Sequence, residues 1–193
     1  MKQFLESPNL LQTITLEAEQ NRAAAETLLA GLNEAQLGWI SAPNSWSVAQ
    51  CLDHLTTTSK AFEPYLATAI KRGSEKWPVS SPIPYRPSWV GGWLIKQVMP
   101  ETVRKVPAPK VFQPSHIPAI ENVLEEFLTQ QTEFVRFVRK AEGVDYNKTR
   151  LRSPVTPLMR YSLADAFVVT VVHGWRHLAQ ARRVCETPGF PAN

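Results

Sequence analysis

Residues 162–185 of the chain read SLADAFVVTVVHGWRHLAQARRVC. Apolar or small residues recur in this stretch every three or four positions, which is the spacing of one face of a helix. Ser162 is suited to cap the first turn, with Asp165 three residues later as its reciprocal partner. Pro188-Gly189 follows the stretch, and these residue types commonly end helices. The stretch therefore predicts a helix that begins at Ser162 and ends before Pro188.

Three further segments show the same spacing of apolar residues. They cover about residues 9–32, from Ser47 toward Ile70, and about residues 117–141. Asn21 is the one polar interruption of the first, and Ser47 with Gln50 forms a capping-box pattern at the start of the second. Pro64 lacks a backbone N–H and crowds the preceding turn, so we expect the second helix to be kinked or broken there.

A long proline-rich stretch, about residues 72–116, separates the second and third predicted helices. Connections of this length in a compact domain usually serve as lids or covering loops, or are disordered. Its several aromatic residues argue against disorder. We therefore predict an ordered crossover that packs over the helices, with a short helix near Trp89 to Met99. Trp89 and Trp93 fit either core cover, which is the favoured interpretation, or the wall of a pocket.

The predicted fold class is all-α, because no segment sustains the alternation of apolar and polar residues that a half-buried strand requires. At 193 residues with 44% hydrophobic composition, the chain is expected to form one domain over residues 1–193.

Charge and composition exclude several classes of function. The net charge is +4, but lysine and arginine are scattered rather than clustered, so we expect no nucleic-acid partner. No stretch has the apolar length of a secretory signal or a membrane span, which predicts a cytoplasmic protein without membrane partners. Cys51 and Cys185 have no cysteine close to them in sequence, so no disulfide framework is expected.

His173 and His177 are the most informative polar residues of the quoted stretch. Positions four apart on a helix differ by about 40° in azimuth and about 6 Å in height, so both imidazoles can reach one metal ion. Histidines at this spacing also occur as hydrogen-bonded core residues, so the spacing leaves both interpretations open. A third ligand would come from His54, at the edge of the core face of the second helix, or from His116, in a loop. His54 is the better candidate, and three imidazoles would leave coordination positions open as in catalytic sites.

Two motifs resemble the signature segments of the DinB/YfiT-like superfamily. They are WSVAQCLDHL at residues 46–55 and HGWRHLAQ at residues 173–180, and residues 109–115 resemble the segment before the third helix of that family. The resemblance implies an antiparallel four-helix bundle with a long crossover between helices two and three, often dimeric. It also implies a divalent metal ion, commonly nickel or zinc, held by His54, His173 and His177.

The resemblance implies two classes of function. Members with a defined activity are thiol S-transferases, isomerases that use a low-molecular-weight thiol, or hydrolases, which predicts a metal-dependent enzyme acting on a small molecule. The alternative is a metal-binding or ligand-binding stress-response module without turnover. The ligand set does not choose between them, because an open metal site can activate either water or a thiol.

No catalytic acid or base follows from the sequence. Relatives often carry an acidic or polar residue after the first histidine of the fourth helix, whereas Gly174 stands there in this chain. Asp53 is adjacent to His54 but turned about 100° away from it on a helix, so either an exposed position or a role in supporting the site fits it. Arg176 fits either a substrate carboxylate or phosphate or the helix surface.

Overall fold

A computed structural model describes residues 1–102, 107–115 and 120–192 of the protein. Its helices are α1 (Lys2–Leu5), α2 (Leu10–Leu29), α3 (Glu34–Gly38), α4 (Val48–Lys76), α5 (Trp89–Val98), α6 (Val123–Lys140) and α7 (Leu163–Cys185). Two strands, β1 (Arg150–Arg152) and β2 (Arg160–Ser162), pair antiparallel. The described chain is thus mostly helical, as the sequence predicts, and none of its helices combines the length and the apolar character that crossing a membrane requires.

The starts of α4 and α7 are fixed by side-chain caps. Ser47 accepts a hydrogen bond from the Gln50 backbone N–H, and the Gln50 side chain accepts one from the Ser47 N–H. Ser162 and Asp165 make the same reciprocal pair at α7. Each pair satisfies two N–H groups that a helix start otherwise leaves without partners, so both predicted starts are confirmed.

Pro64 does not break α4, and that part of the expectation is wrong. The helix continues from Val48 to Lys76 with Pro64 inside it. Pro64 itself is exposed, whereas Phe62 and Leu66 on either side of it are buried in the core. Because the ring faces solvent, water can reach the carbonyl that loses its partner, and core packing on both sides holds the helix together.

Four long helices make the main packing contacts. α2 and α4 each pack against both α6 and α7. Two buried apolar clusters lie between them: the first includes Ile14, Leu66, Phe134 and Phe167, and the second includes Leu29, Leu52, Phe127 and Leu178. The order of these residues shows that α2 and α7 run from the first cluster to the second, while α4 and α6 run the opposite way. Because α4 and α6 run in the same direction, the chain must return along the molecule between them, and the connection is therefore long.

Within that connection α5 forms close to its predicted position, but its tryptophans do not cover the core. The Trp89 side chain is 87% exposed and that of Trp93 is 49% exposed. The buried face of α5 is formed by Gly91 and Ile95. The sequence-based expectation for the two tryptophans is therefore wrong, because the narrow glycine side of the helix allows the closer approach to α7.

Asp165 ties the connection to the start of α7. Its fully buried carboxyl group accepts hydrogen bonds from the Tyr85 hydroxyl at 2.8 Å and from the Ser88 hydroxyl at 2.6 Å. A Cβ atom at Gly91 would lie 2.0 Å from the Asp165 Cγ, so only glycine fits there. Asp165 therefore caps α7 and also fixes the start of α5, since Ser88 is the α5 cap.

The all-α prediction missed the small hairpin before α7. Leu151 of β1 pairs with Tyr161 of β2, and both side chains are buried. Strands of three residues are too short to show a period of two in the sequence, and this hid them. The third predicted helix is observed as α6, and its expected first residues, 117–119, lie outside the described residues.

Candidate metal centre

Three histidines lie where the two apolar clusters meet. His54 is on the second turn of α4, and His173 and His177 lie one turn apart on α7. On α7, Val172 belongs to the first cluster and Leu178 to the second, so the two histidines occupy the boundary between them. The antiparallel packing of α4 against α7 brings His54 to the same level.

The ring nitrogens of these histidines converge. Nε2 of His173 lies 3.2 Å from Nε2 of His54 and 2.9 Å from Nε2 of His177. One ligand nitrogen from each residue lies within 4.8 Å of the other two, and no carboxylate or thiol of the described residues joins this cluster. The structure therefore brings together the three histidines singled out from the sequence, while His116 lies outside the described residues.

The nitrogen positions fit a single small cation. With metal–nitrogen distances of 2.0–2.1 Å, two ligand nitrogens are separated by about 3.3 Å in a tetrahedral site and by about 2.9 Å in an octahedral one. The two observed Nε2 separations fall close to these values. The donor set also suits a divalent ion, because imidazole nitrogen binds zinc and nickel well.

Proton placement gives a second reason that the cluster suits a cation. Nδ1 of His54 lies 2.5 Å from the Phe112 carbonyl oxygen, which can only accept, so Nδ1 carries the proton and Nε2 presents a lone pair. In the ring plane His173 Nε2 has either a proton or a lone pair, so it can form a well-aligned hydrogen bond with at most one of its two close neighbours, and the other contact brings two electronegative nitrogens together without a proton between them. A metal ion at the centre would remove this repulsion.

The three imidazoles are held neutral by burial. His54 is 3% exposed and His177 is 7% exposed, and burial lowers the pKa of both below the usual range for histidine. Burial is also the main reason that the pKa of His173 is well below its usual value, with the charge of His54 acting in the same direction. Neutral imidazoles are the form that ligates a metal, so no proton has to be displaced from them near pH 7.

Aromatic side chains lie beside the histidine cluster. Trp46 packs on His54 and on His177, with ring centroids 4.7 Å and 5.5 Å apart. Phe112, whose carbonyl meets His54, stacks on Phe62 at 5.8 Å between centroids. His173 is the more exposed member of the cluster. Trp46 therefore covers the side of the cluster that His54 and His177 form.

Residues next to the clustered histidines serve other contacts. The Arg176 guanidinium donates hydrogen bonds to the Met99 and Thr102 carbonyls, which attaches the connection between α4 and α6 to α7. A Cβ atom at Gly174 would lie 2.5 Å from the amide nitrogen of Asn21, so the close approach of α2 requires glycine here.

Two further residues that are close to the histidines in sequence lie outside the cluster. The Trp175 indole donates to Glu17 of α2, so this position also faces away from the cluster. Burial raises the pKa of Cys51 to about 12, so this thiol is protonated near pH 7, and it is not among the groups that converge with the histidines.

Sequence reasoning missed two supporting groups. Trp46 is the first residue of the WSVAQCLDHL motif, but nothing in its position in the sequence showed that its ring would pack on the imidazoles. The Phe112 carbonyl carries no side-chain signal, because any residue type offers a carbonyl. Asp53 was left open between two roles, and in the structure its carboxylate accepts a hydrogen bond from the Ser115 N–H at 2.5 Å.

The fold and the site together define a helical protein with a cluster of three histidines suited to a metal ion. The chain matches the family model of the DinB superfamily over residues 17–181, a span that contains all three histidines. It therefore belongs to the DinB superfamily. No curated protein and no solved structure matches the chain.

Proposed function

We propose that the protein is a metal-dependent enzyme that binds one divalent ion, nickel or zinc, and acts on a small molecule by thiol S-transfer or hydrolysis. The ligands in this proposal are His54, His173 and His177. The observation that supports it most strongly is the convergence of three neutral imidazole nitrogens without a fourth protein ligand among the described residues. Structural zinc sites are normally closed by four protein ligands, whereas catalytic sites keep a position open.

The chain's residues have distinct parts in this proposal. The bound ion would supply a Lewis acid that lowers the pKa of a coordinated water or thiol. The Phe112 carbonyl holds His54 in the tautomer that offers Nε2. Trp46 keeps solvent from the face of His54 and His177 on which it packs. A low-molecular-weight thiol or another small substrate would enter beside His173.

A non-catalytic metal-binding module is the second candidate. It is favoured by one observation: among the described residues, no carboxylate joins the three histidines, so no general base of that kind stands beside the ion. A binding module needs no such group, whereas an enzyme would have to leave proton transfer to solvent or substrate.

We also propose that the four long helices form the bundle typical of the superfamily, with the connection between α4 and α6 as its long crossover. The contacts of α2 and α4 with both α6 and α7 support this arrangement. A single domain over residues 1–193 and a homodimer belong to the same proposal, and sedimentation equilibrium of the purified chain tests the dimer.

Metal titration with variants tests the ligand set. Purified protein is stripped with a chelator, titrated with Zn²⁺ and with Ni²⁺, and checked by elemental analysis. His54→Gln, His173→Gln and His177→Gln should each weaken binding by about 100-fold or more, beyond the 10–100-fold typical of supporting residues. His116→Gln is the matched control and should bind as the wild type does. Stoichiometric tight binding by both His54→Gln and His177→Gln would contradict the proposal.

Turnover separates the two candidates. The metal-loaded protein is assayed with a panel of low-molecular-weight thiols plus an electrophile, and with ester and amide substrates. Activity that disappears on chelation and in His177→Gln supports an enzyme. A fully loaded wild type that is inactive with the whole panel favours the binding module.

A further inference from the structure

The segment of residues 110–115 is attached to α4 at three points. The Asp53 carboxylate accepts from the Ser115 N–H at 2.5 Å, and His54 Nδ1–H donates to the Phe112 carbonyl at 2.5 Å. The Phe112 ring stacks on Phe62, two turns further along the helix, with an angle of 19° between the ring planes. Helix α4 therefore contains His54 and also binds the segment whose Phe112 carbonyl fixes the tautomer of His54.

We propose that Asp53 is a positioning residue of the metal centre: by holding the Ser115 N–H, it keeps the Phe112 carbonyl against His54 and so sets which nitrogen of His54 faces the metal. This inference rests on the proposed metal site. Asp53 does not reach the ion itself, because its carboxylate is engaged at Ser115, outside the histidine cluster.

The backbone between the two contacts is stiff enough to transmit the constraint. Gln113 has an extended conformation, with φ −65° and ψ 137°, as expected for a residue that precedes a proline. Pro114 fixes its own φ. On the other side, the Phe112 N–H bonds to the Pro109 carbonyl. Ser115 is therefore coupled to Phe112 through two residues with little freedom.

The tautomer of His54 depends on the Phe112 contact. The hydrogen bond made by one ring nitrogen decides which nitrogen carries the proton. With the carbonyl in place, the proton stays on Nδ1 and the Nε2 lone pair faces Nε2 of His173. If the segment shifts away, the proton can move to Nε2, and that nitrogen no longer offers a lone pair to a metal.

A carboxylate beside His54 could also act simply through its charge, and two substitutions separate the two effects. Asp53→Asn removes the charge but keeps an oxygen that can accept from Ser115. Asp53→Ala removes both. Glu75→Ala, at an exposed position near the end of the same helix, removes a like charge far from the site and serves as the control.

The first readout is the tautomer of His54 in the metal-free protein near pH 7.5. Long-range ¹H–¹⁵N correlation spectra of the imidazole rings report it, and His54→Gln assigns the signal among the four histidines. We expect the Nδ1–H form in the wild type, in Asp53→Asn and in Glu75→Ala. Asp53→Ala should show a substantial population of the Nε2–H form. An unchanged Nδ1–H signal in Asp53→Ala would overturn the proposal.

The second readout is the dissociation constant for Zn²⁺. Asp53→Ala should raise it by about 10–100-fold, the range found for residues that orient ligands, and Asp53→Asn should change it by less than about threefold. Equal weakening in both variants would show a charge effect and overturn the positioning role. A wild type that binds neither zinc nor nickel but keeps the Nδ1–H signal would refute the proposed function while leaving the role of Asp53 in setting the tautomer intact.

Discussion

Adjacent glycines of α5 should respond in opposite directions to the same substitution. At Gly92, a Cβ atom would meet nothing closer than Pro87 Cβ at 3.9 Å, whereas at Gly91 it would lie 2.0 Å from Asp165 Cγ. Gly92→Ala should therefore stabilise the protein by up to about 1 kcal/mol, the difference in helix propensity. Gly91→Ala gains the same propensity but forces a buried carboxyl group to move.

The cost at Gly91 follows from the contacts that Asp165 would lose. Its hydrogen bonds from the hydroxyls of Tyr85 and Ser88 contribute about 1.5–3 kcal/mol each for a charged acceptor. Losing both costs about 4 kcal/mol, so the net change at Gly91 is about 3 kcal/mol of destabilisation. For a chain of this length, that lowers the melting temperature by roughly 10 °C.

Urea and thermal unfolding followed by circular dichroism measure both variants in parallel. The expected result is a difference of about 4 kcal/mol between two neighbouring Gly→Ala changes, from the propensity and hydrogen-bond terms above. If Gly91→Ala is as stable as Gly92→Ala, Asp165 does not attach the start of α5 to α7 in the way that its hydrogen bonds indicate.

Three further outcomes test other parts of the account. Gly174→Ala should lower the free energy of unfolding by about 2 kcal/mol in urea titrations, because the added Cβ would crowd the Asn21 side chain. An unchanged free energy of unfolding would contradict the close packing of α2 against α7. A thiolate-directed reagent should label Cys185 and leave Cys51 unmodified in the native protein near pH 8, because burial raises the pKa of Cys51 to about 12. Mass spectrometry of digested peptides measures the labelling, and labelled Cys51 beside unlabelled Cys185 would contradict the prediction. The metal-free protein should lose stability as the pH falls from about 6.5 to 5.5, because the unfolded imidazoles take up protons there while the buried imidazoles of His173 and His177, with lowered pKa values, do not. The loss is about 1 kcal/mol for each imidazole that stays neutral, and urea midpoints at the two pH values should show a smaller loss in His177→Gln.

Local signals in the sequence predicted the helix starts and the histidine pair. The Ser47–Gln50 and Ser162–Asp165 caps depend on residues three positions apart, so the sequence contains all that they need. His173 and His177 share one face for the same reason. His54 could be selected because its position relative to the apolar residues of α4 placed it at the edge of the core.

Features that depend on contacts between distant segments could not be predicted in the same way. Asp165 was correctly identified as a cap, but its bonds to Tyr85 and Ser88 join residues about 80 positions apart. The sequence showed Pro64 as a local defect, whereas tertiary packing on both sides keeps the helix continuous. Trp89 and Trp93 were misplaced because aromatic residues are usually buried, and nothing in the sequence showed that the glycine face of α5 would take the inner position.

X-ray absorption spectroscopy of the zinc-loaded protein tests the central claim most directly. We expect three imidazole nitrogens at 2.0–2.1 Å, at least one further oxygen or nitrogen ligand from solvent or buffer, and no sulfur. The His177→Gln variant should lose the three-imidazole signature, and His116→Gln should keep it. A sulfur ligand at about 2.3 Å, or a spectrum with three imidazoles unchanged in His177→Gln, would contradict a metal centre built from His54, His173 and His177.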